Sequence, residues 1–300
     1  MAVGAPIGFI GLGVMGEPMC RNLVKKSGVK VIAYDLSPQP LERLRADGAA
    51  IAGSVREAVA GSGVVFLCLP GGKQLREVFE AEGGVFASAR PGQTVVDLGT
   101  SPVALVREIA ERLAAIGAAF ADAPIARTRE AAQKGTLSVM VGADKAVFER
   151  VEPLIRCFAT DITHCGAVGA GQVVKILNNM VLFQTVNALA EALAIGRRSG
   201  VDPALLFDTF SKGSADSFAL RNHGMKAMVP RAFPKRAFST EYALKDISYA
   251  LALAREVGVD ARGAEVIEDV LQRTIARGLG GAYYPALLEV VDGPPAKATS

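Results

Sequence analysis

The chain has only four cysteines in three hundred residues, Cys20, Cys68, Cys157 and Cys165, and no CxxC pair among them. That spacing builds neither a zinc ribbon nor a disulfide framework, so the thiols are expected to be reduced and mostly buried, with no metal bound. His164 stands beside Cys165 and is one of only two histidines; two adjacent ligands do not make a tetrahedral site. Net charge is equally scarce. Lys and Arg number 33 against 30 Asp and Glu, a balance of +3, and the basic residues are scattered without a run or interleaved aromatics. A balance this small argues against nucleic acid or a membrane surface as partner. No uninterrupted apolar run reaches the ~18–20 residues of a membrane span. The stretch after Lys175 comes nearest, but Asn178, Asn179, Gln184 and Asn187 interrupt it and mark a buried core helix. There is no internal repeat. The first strand starts by Pro6–Ile7, which leaves no room for a leader peptide, so the expected compartment is the cytoplasm.

What is present is an ordinary globular composition, half hydrophobic and about a fifth charged, long enough for two domains. Ile7-Gly-Phe-Ile10 is a short apolar run. Gly11-Leu12-Gly13-Val14-Met15-Gly16 follows, and a helical pattern through Met19, Leu23 and Val24 comes next. A glycine turn between a strand and a helix lets backbone approach a pyrophosphate, which then sits on the helix N-terminus. A second strand, Val29–Tyr34, ends at Asp35, about 20 residues past the glycines, where a ribose-binding carboxylate belongs. A carboxylate there accepts from the ribose hydroxyls of NAD and repels the 2′-phosphate of NADP. Leu36 follows where an Arg would welcome that phosphate. NAD is therefore expected, with NADP as the alternative if Arg43 or Arg45 swings in.

The alternation of strand and helix continues for about 165 residues and predicts a doubly wound parallel sheet of Rossmann type. Val64–Leu69 is a fully apolar strand ending at Leu69-Pro70-Gly-Gly, a loop on the ligand edge of such a sheet. Thr94–Leu98 leads to Thr100-Ser101-Pro102, with Ser101 placed to cap the next helix. Ser54 and Glu57 form a capping box, and Asp202-Pro203 opens a helix by the same cap-and-proline logic. After residue 165 only helical patterns remain. The expected division is a dinucleotide-binding domain over 1–165, an all-helical domain over 166–291 opening with a long interdomain helix, and a disordered tail over 292–300.

Three glycines at 166, 169 and 171 lead into that long helix. Lys175, Asn178 and Asn179 share one of its faces, since positions i, i+3 and i+4 project together. One ammonium and two amides on a greasy helix either snorkel to water or serve a site.

Taken together, the motifs resemble the β-hydroxyacid dehydrogenase family, which includes 3-hydroxyisobutyrate dehydrogenases, tartronate semialdehyde reductases and sulfolactaldehyde reductases. Gly8–Gly16 looks like its cofactor fingerprint. Asp122-Ala-Pro-Ile running to Gly135-Thr-Leu looks like its substrate loop. Gly169-Ala-Gly-Gln-Val-Val-Lys175-Ile-Leu-Asn-Asn179 looks like its catalytic helix, and Tyr242-Ala-Leu-Lys245-Asp246-Ile like its nicotinamide-side motif. The resemblance covers Ile7 to about Leu288. It implies an NAD(P)-dependent oxidoreductase that interconverts a small 3-hydroxy acid, or its sulfonate analogue, and the semialdehyde. Lys175 would be the general acid/base and Asn178 and Asn179 would contact substrate. Thr100 and Lys245 would approach the cofactor beside Gly11–Gly16, Asp35, Leu69 and Pro70. The family is also known for imine reductases and non-catalytic binding modules on the same architecture, which replace or lose the lysine. One departure stands out. Members carry Ser-Gly-Gly where this chain has Ala126-Arg127-Thr128. Arg127 and Thr128 are thus the candidate readers of a small anionic substrate, because a guanidinium fork matches a carboxylate, sulfonate or phosphate; the alternative is an Arg pointing to solvent. Leu182 on the helix argues against direct transfer of the sulfonate substrate. The long helix implies packing of subunits into a homodimer or homotetramer.

Overall fold

The computed structural model describes residues 4–235 and 237–293 and divides into two compact units, Met1–Lys175 and Ile176–Ser300. Among its described residues the first unit has nine strands: β1 (Ile7–Ile10), β2 (Val31–Tyr34), β3 (Ala50–Ile51), β4 (Val64–Leu67), β5 (Thr94–Asp97), β6 (Ala119–Asp122), β7 (Ile125–Ala126), β8 (Leu137–Gly142) and β9 (Ala159–Gly166). Their order is β3-β2-β1-β4-β5-β6-β8-β7, with β9 pairing β8. From β3 to β6 every pairing is parallel. Helices cover both faces, so β1 and β4 are buried along their whole length. Alternate residues feed two separate cores. Ile7, Phe9 and Phe66 face one layer of helices, while Ile10, Val65 and Leu67 face the other. Each such side chain contributes about 1.5–3 kcal/mol by leaving water.

The sheet departs from the expected all-parallel form at one edge. β8 runs antiparallel to β6 and β7, because the chain doubles back between Ala126 and Leu137 through the short helix Arg129–Lys134, and is parallel only to β9. The cap after β5 also differs. The helix begins at Val103 with Pro102 in the cap position, and the Ser101 hydroxyl donates to Asp97 instead. Ser54 and Asp202 do cap their helices, accepting from the N–H groups of Glu57 and Leu205.

The second unit is helical; among its described residues the one β-type pairing is an isolated bridge between Ser239 and Tyr283. Its longest element, Ala170–Arg198, starts in the first unit and continues into the second. By length and composition that helix is long and apolar enough to cross a membrane, and less than half of its most apolar window is buried. It is therefore not the wholly buried core helix expected: Leu177, Val181 and Ile195 are exposed. The expected helix near residues 218–228 is wound as a π-helix over Leu220–Met228, with Gly224 pressed against the Phe207 ring. Asp292, expected to begin a disordered tail, is instead anchored. Its carboxylate pairs with Arg197 at 2.7 Å and with Arg231, and the Arg197 guanidinium helps hold it below the usual carboxylate range against the opposing effect of burial. Residues 294–300 of the expected tail lie outside the described residues.

Candidate active site

Register lines up the carboxyl ends of the parallel strands. Tyr34, Ile10, Leu67, Asp97 and Asp122 are successive Cα partners across β2, β1, β4, β5 and β6. The residues that follow each strand therefore share one edge: Asp35, the glycine turn, Leu69-Pro70, Thr100 and the segment after Asp122. The strand order reverses between β1 and β4, and such a switch point opens a crevice at this edge.

The three glycines of the turn do different work. Gly11 has φ +93°, and a Cβ on it would overlap the Cys68 carbonyl oxygen. Gly16 opens the first helix, and a Cβ there would overlap the Gly11 carbonyl oxygen. Gly13 has no heavy atom within 4 Å of where its Cβ would stand. It is exposed, open backbone at a helix N-terminus, the cradle a pyrophosphate requires. Val14 is exposed beside it and Leu12 is buried below. Asp35 accepts from the Leu12 N–H at 2.5 Å and from the Ser37 N–H at 2.7 Å, which ties the end of β2 to the glycine turn. Leu36 is 91% exposed. Arg43 is engaged by both oxygens of Glu17 at 2.7 and 2.8 Å, and this bidentate contact draws the Glu17 carboxyl below its ordinary range. These residues fit a dinucleotide whose ribose meets Asp35.

The start of the long helix is bolted to the same edge. The Asp122 carboxylate accepts from the N–H groups of Gly169 at 2.6 Å and Gln172 at 2.7 Å. Burial pushes this carboxyl up to about 6, while those N–H groups pull it down. Gly171 has no room for a Cβ, which would overlap the Met140 carbonyl oxygen, so the helix end sits directly on β8. Lys175 stands one turn further along and is only 9% exposed. Asn179 follows at i+4 and shares its face. Asp122 and Gln172 were not among the site residues expected from sequence. The available signals were an acid closing an apolar strand and an amide in the first turn of a greasy helix.

Within the helical unit, Asn179 donates to Asp246 Oδ2 at 2.7 Å and its own Oδ1 accepts from Asn178 at 3.1 Å. The Lys245 ammonium lies 2.8 Å from Asp246 Oδ1 and 4.9 Å from the centre of the Tyr249 ring. Lys245 and Asp246 are therefore a real pair, and Asp246 links Lys245 to the amides of Asn179 and Asn178 on the long helix.

Arg127 has φ +87°, a left-handed conformation ordinarily left to glycine. Its guanidinium binds Thr136 O at 2.7 Å, Thr160 Oγ1 at 3.1 Å and Asp161 at 2.8 Å. Thr128 caps the next helix by accepting from the Ala131 N–H, which leaves its O–H able to donate elsewhere. His164, the other candidate ligand, is stacked on Phe148 and bonded to Ala143 O.

Comparison with known proteins gives a consistent picture. Residues 6–166 match the family described as the NAD binding domain of 6-phosphogluconate dehydrogenase. Residues 169–291 match that described as the NAD-binding of NADP-dependent 3-hydroxyisobutyrate dehydrogenase. A 2-(hydroxymethyl)glutarate dehydrogenase from Eubacterium barkeri is 33% identical, over 95% of this chain and 94% of its own. The 2-hydroxy-3-oxopropionate reductase of Escherichia coli strain K12 is 30% identical, over 95% and 97%. A solved 3-hydroxyisobutyrate dehydrogenase of Mycobacterium tuberculosis with L-serine superposes at a TM-score of 0.87 and 30% identity, covering 97% of this chain and 100% of that one. An imine reductase from Pseudomonas sp. superposes at 0.62 with 17% identity, covering 95% and 99%, a likeness of fold alone.

Proposed function

Because the chain belongs to the β-hydroxyacid dehydrogenase family, we propose that it interconverts a small 3-hydroxy acid and its semialdehyde with NAD(H), using Lys175 to move the hydroxyl proton. The observation that carries this reading is the placement of a nearly buried lysine one turn into a helix whose start is bonded to the ligand edge of a dinucleotide sheet. Bound at that edge, the nicotinamide supplies or takes the hydride. Lys175 Nζ donates a proton to the carbonyl oxygen during reduction and accepts it from the hydroxyl during oxidation. Asn179, with its amide fixed by Asp246 and Asn178, orients the substrate without competing for that proton. Gly11–Gly16, Asp35, Leu69, Pro70 and Thr100 line the cofactor edge in this reading. Lys245, paired with Asp246 in the helical unit, is the further proposed cofactor-binding residue.

NAD is favoured over NADP because Asp35 closes the ribose end, Leu36 offers no cation and Arg43 is already committed to Glu17. Arg127 is the proposed reader of the substrate anion. Its contact with Asp161 is an exposed, solvent-screened pair that contributes little, whereas a charge-assisted fork on a carboxylate is the stronger partner. One experiment addresses substrate class, cofactor and Arg127 together. A panel of 3-hydroxyisobutyrate, 2-(hydroxymethyl)glutarate, tartronate semialdehyde and neutral amide analogues is assayed with both cofactors. The expected result is turnover of an acid, higher kcat/KM with NAD(H) than with NADP(H) (oxidised cofactor for hydroxy acids, reduced for semialdehydes), and a loss of tens to hundreds of fold in Arg127→Ala on acids but not on amides, equivalent to about 2–4 kcal/mol. Failure of every hydroxy acid and semialdehyde in the panel would overturn the activity. Equal efficiency with NADP(H) would overturn the cofactor preference. Equal losses on acid and amide would make Arg127 a support of its loop.

We further place the protein in the cytoplasm as a homo-oligomer. Support for the compartment is four unpaired cysteines. Support for self-association is the line of Leu177, Val181 and Ile195 exposed along the long helix. A second copy brings the same stripe, so a two-fold pairing covers both at once. Light scattering should give a dimer or tetramer, and Val181→Glu should shift it towards monomer; a wild-type monomer at micromolar concentration would count against the interface.

A further inference from the structure

We infer that Gln172 is a positioning residue that fixes the Thr100 loop to the helix carrying Lys175, and so sets the geometry between cofactor edge and proton donor. This rests on the assignment of Lys175 above. Gln172 is fully buried in the first turn of the long helix. Its Oε1 accepts from the Ser101 N–H at 3.0 Å, and its Nε2 donates to the Gly99 carbonyl at 2.9 Å. One amide thus grips the backbone on both sides of Thr100. Only this orientation of the amide gives every group a matching partner, since an N–H needs the oxygen and a carbonyl needs the nitrogen. Asp97 closes the bracket from behind. It accepts from the Gly99 N–H at 2.9 Å and the Ser101 hydroxyl at 2.8 Å, with Gln172 Nε2 at 3.4 Å. The backbone N–H of Gln172 is held in turn by Asp122 at the end of the next strand.

The consequence follows from helix geometry. Lys175 lies three residues beyond Gln172, so the two side chains leave the helix on adjacent sides. Whatever anchors Gln172 anchors the turn that bears the lysine. The Thr100 loop is a short connection between β5 and a helix, held from behind by Asp97, and a shift of an ångström or so between reacting groups costs about a hundredfold in rate. Gln172 adds the link from that loop to the turn that bears Lys175.

The test uses the full-length protein, the best substrate of the panel above, and NAD+ if that substrate is a hydroxy acid or NADH if it is a semialdehyde. Gln172→Ala should lower kcat by about ten- to a hundredfold, with KM and the NADH Kd within about threefold of wild type. Gln172→Glu supplies a readout that a purely structural role does not move. A neutral carboxylic acid can still accept from Ser101 and donate to Gly99. A carboxylate would instead face the Gly99 carbonyl and the Asp97 carboxylate, with Asp122 at its own backbone and Arg107 near Gly169 as the neighbouring cation. Normalised to wild type at each pH, kcat of Gln172→Glu should approach one at the acid end and fall as pH rises through the titration of the new acid. A flat normalised profile, or a kcat of Gln172→Ala within twofold of wild type, overturns the inference. So does a loss confined to NADH affinity, which would make Gln172 part of the cofactor site alone. If Gln172→Ala fails to fold, the Glu profile decides. Lys175→Ala is measured in parallel: normal turnover there defeats the functional reading itself, whereas an inactive Lys175→Ala beside normal Gln172 variants defeats only the bracket.

Discussion

Lys175→Ala should lose about two to four orders of magnitude in kcat while its Kd for NADH stays within about threefold of wild type. The asymmetry is what the structure predicts. In the proposed reading the cofactor edge is Gly11–Gly16, Asp35 and the loops after β4 and β5, and the glycine turn is held by its own close packing and by the bond from Leu12 to Asp35. The proton has no evident substitute: among the polar groups placed on this face, Asn178 and Asn179 are amides that do not titrate. Lys175→Arg separates charge from proton transfer. It keeps a cation, but a guanidinium does not release its proton near neutral pH. It should be nearly as inactive as the alanine variant. Recovery of most activity in the arginine variant would mean that the site needs only a positive charge. Near-normal kcat in Lys175→Ala would remove the lysine from the chemistry altogether.

The parts of this site that sequence made legible are those written in neighbouring residues. The strand, glycine turn and helix around Gly11–Gly16 form one local pattern, and Asp35 follows because the next strand has a fixed length. Lys175 and Asn179 share a face by helical spacing alone. What was not legible depends on contacts between distant segments. Gln172 and Ser101 are 71 residues apart, and Asp122 and Gln172 are 50 apart, so no window of sequence contains both partners. The direction of β8 was hidden for a related reason. An apolar run reads the same in either direction, and only the reversal between Ala126 and Leu137 makes it antiparallel to β6. Arg127 is a mixed case. The substitution of a glycine-rich segment was visible, but a retained left-handed backbone with the guanidinium turned onto Asp161 was not.

Two glycines of one motif should fail in opposite ways when given a side chain. Gly13→Val is expected to raise the NADH Kd by about a hundredfold or more and leave Tm within about 2 °C of wild type. No protein atom lies within 4 Å of the added Cβ, so the fold has nothing to rearrange. The new side chain instead occupies the open backbone where the pyrophosphate must approach the helix N-terminus. Gly16→Ala is expected to do the reverse in stability. Its Cβ would overlap the Gly11 carbonyl oxygen and stand 3.3 Å from Cys68 Cβ, so the first helix must move away from β1 and β4. Overpacking of this kind costs about 1–3 kcal/mol, or roughly 2–12 °C in Tm for a unit of this size. Any loss of cofactor affinity in Gly16→Ala should then track its lowered stability and be relieved on cooling, while that in Gly13→Val should persist at every temperature. Normal NADH binding by Gly13→Val would place the dinucleotide elsewhere than on this turn. An unchanged Tm in Gly16→Ala would show that the close approach of helix and strand is not what the third glycine provides.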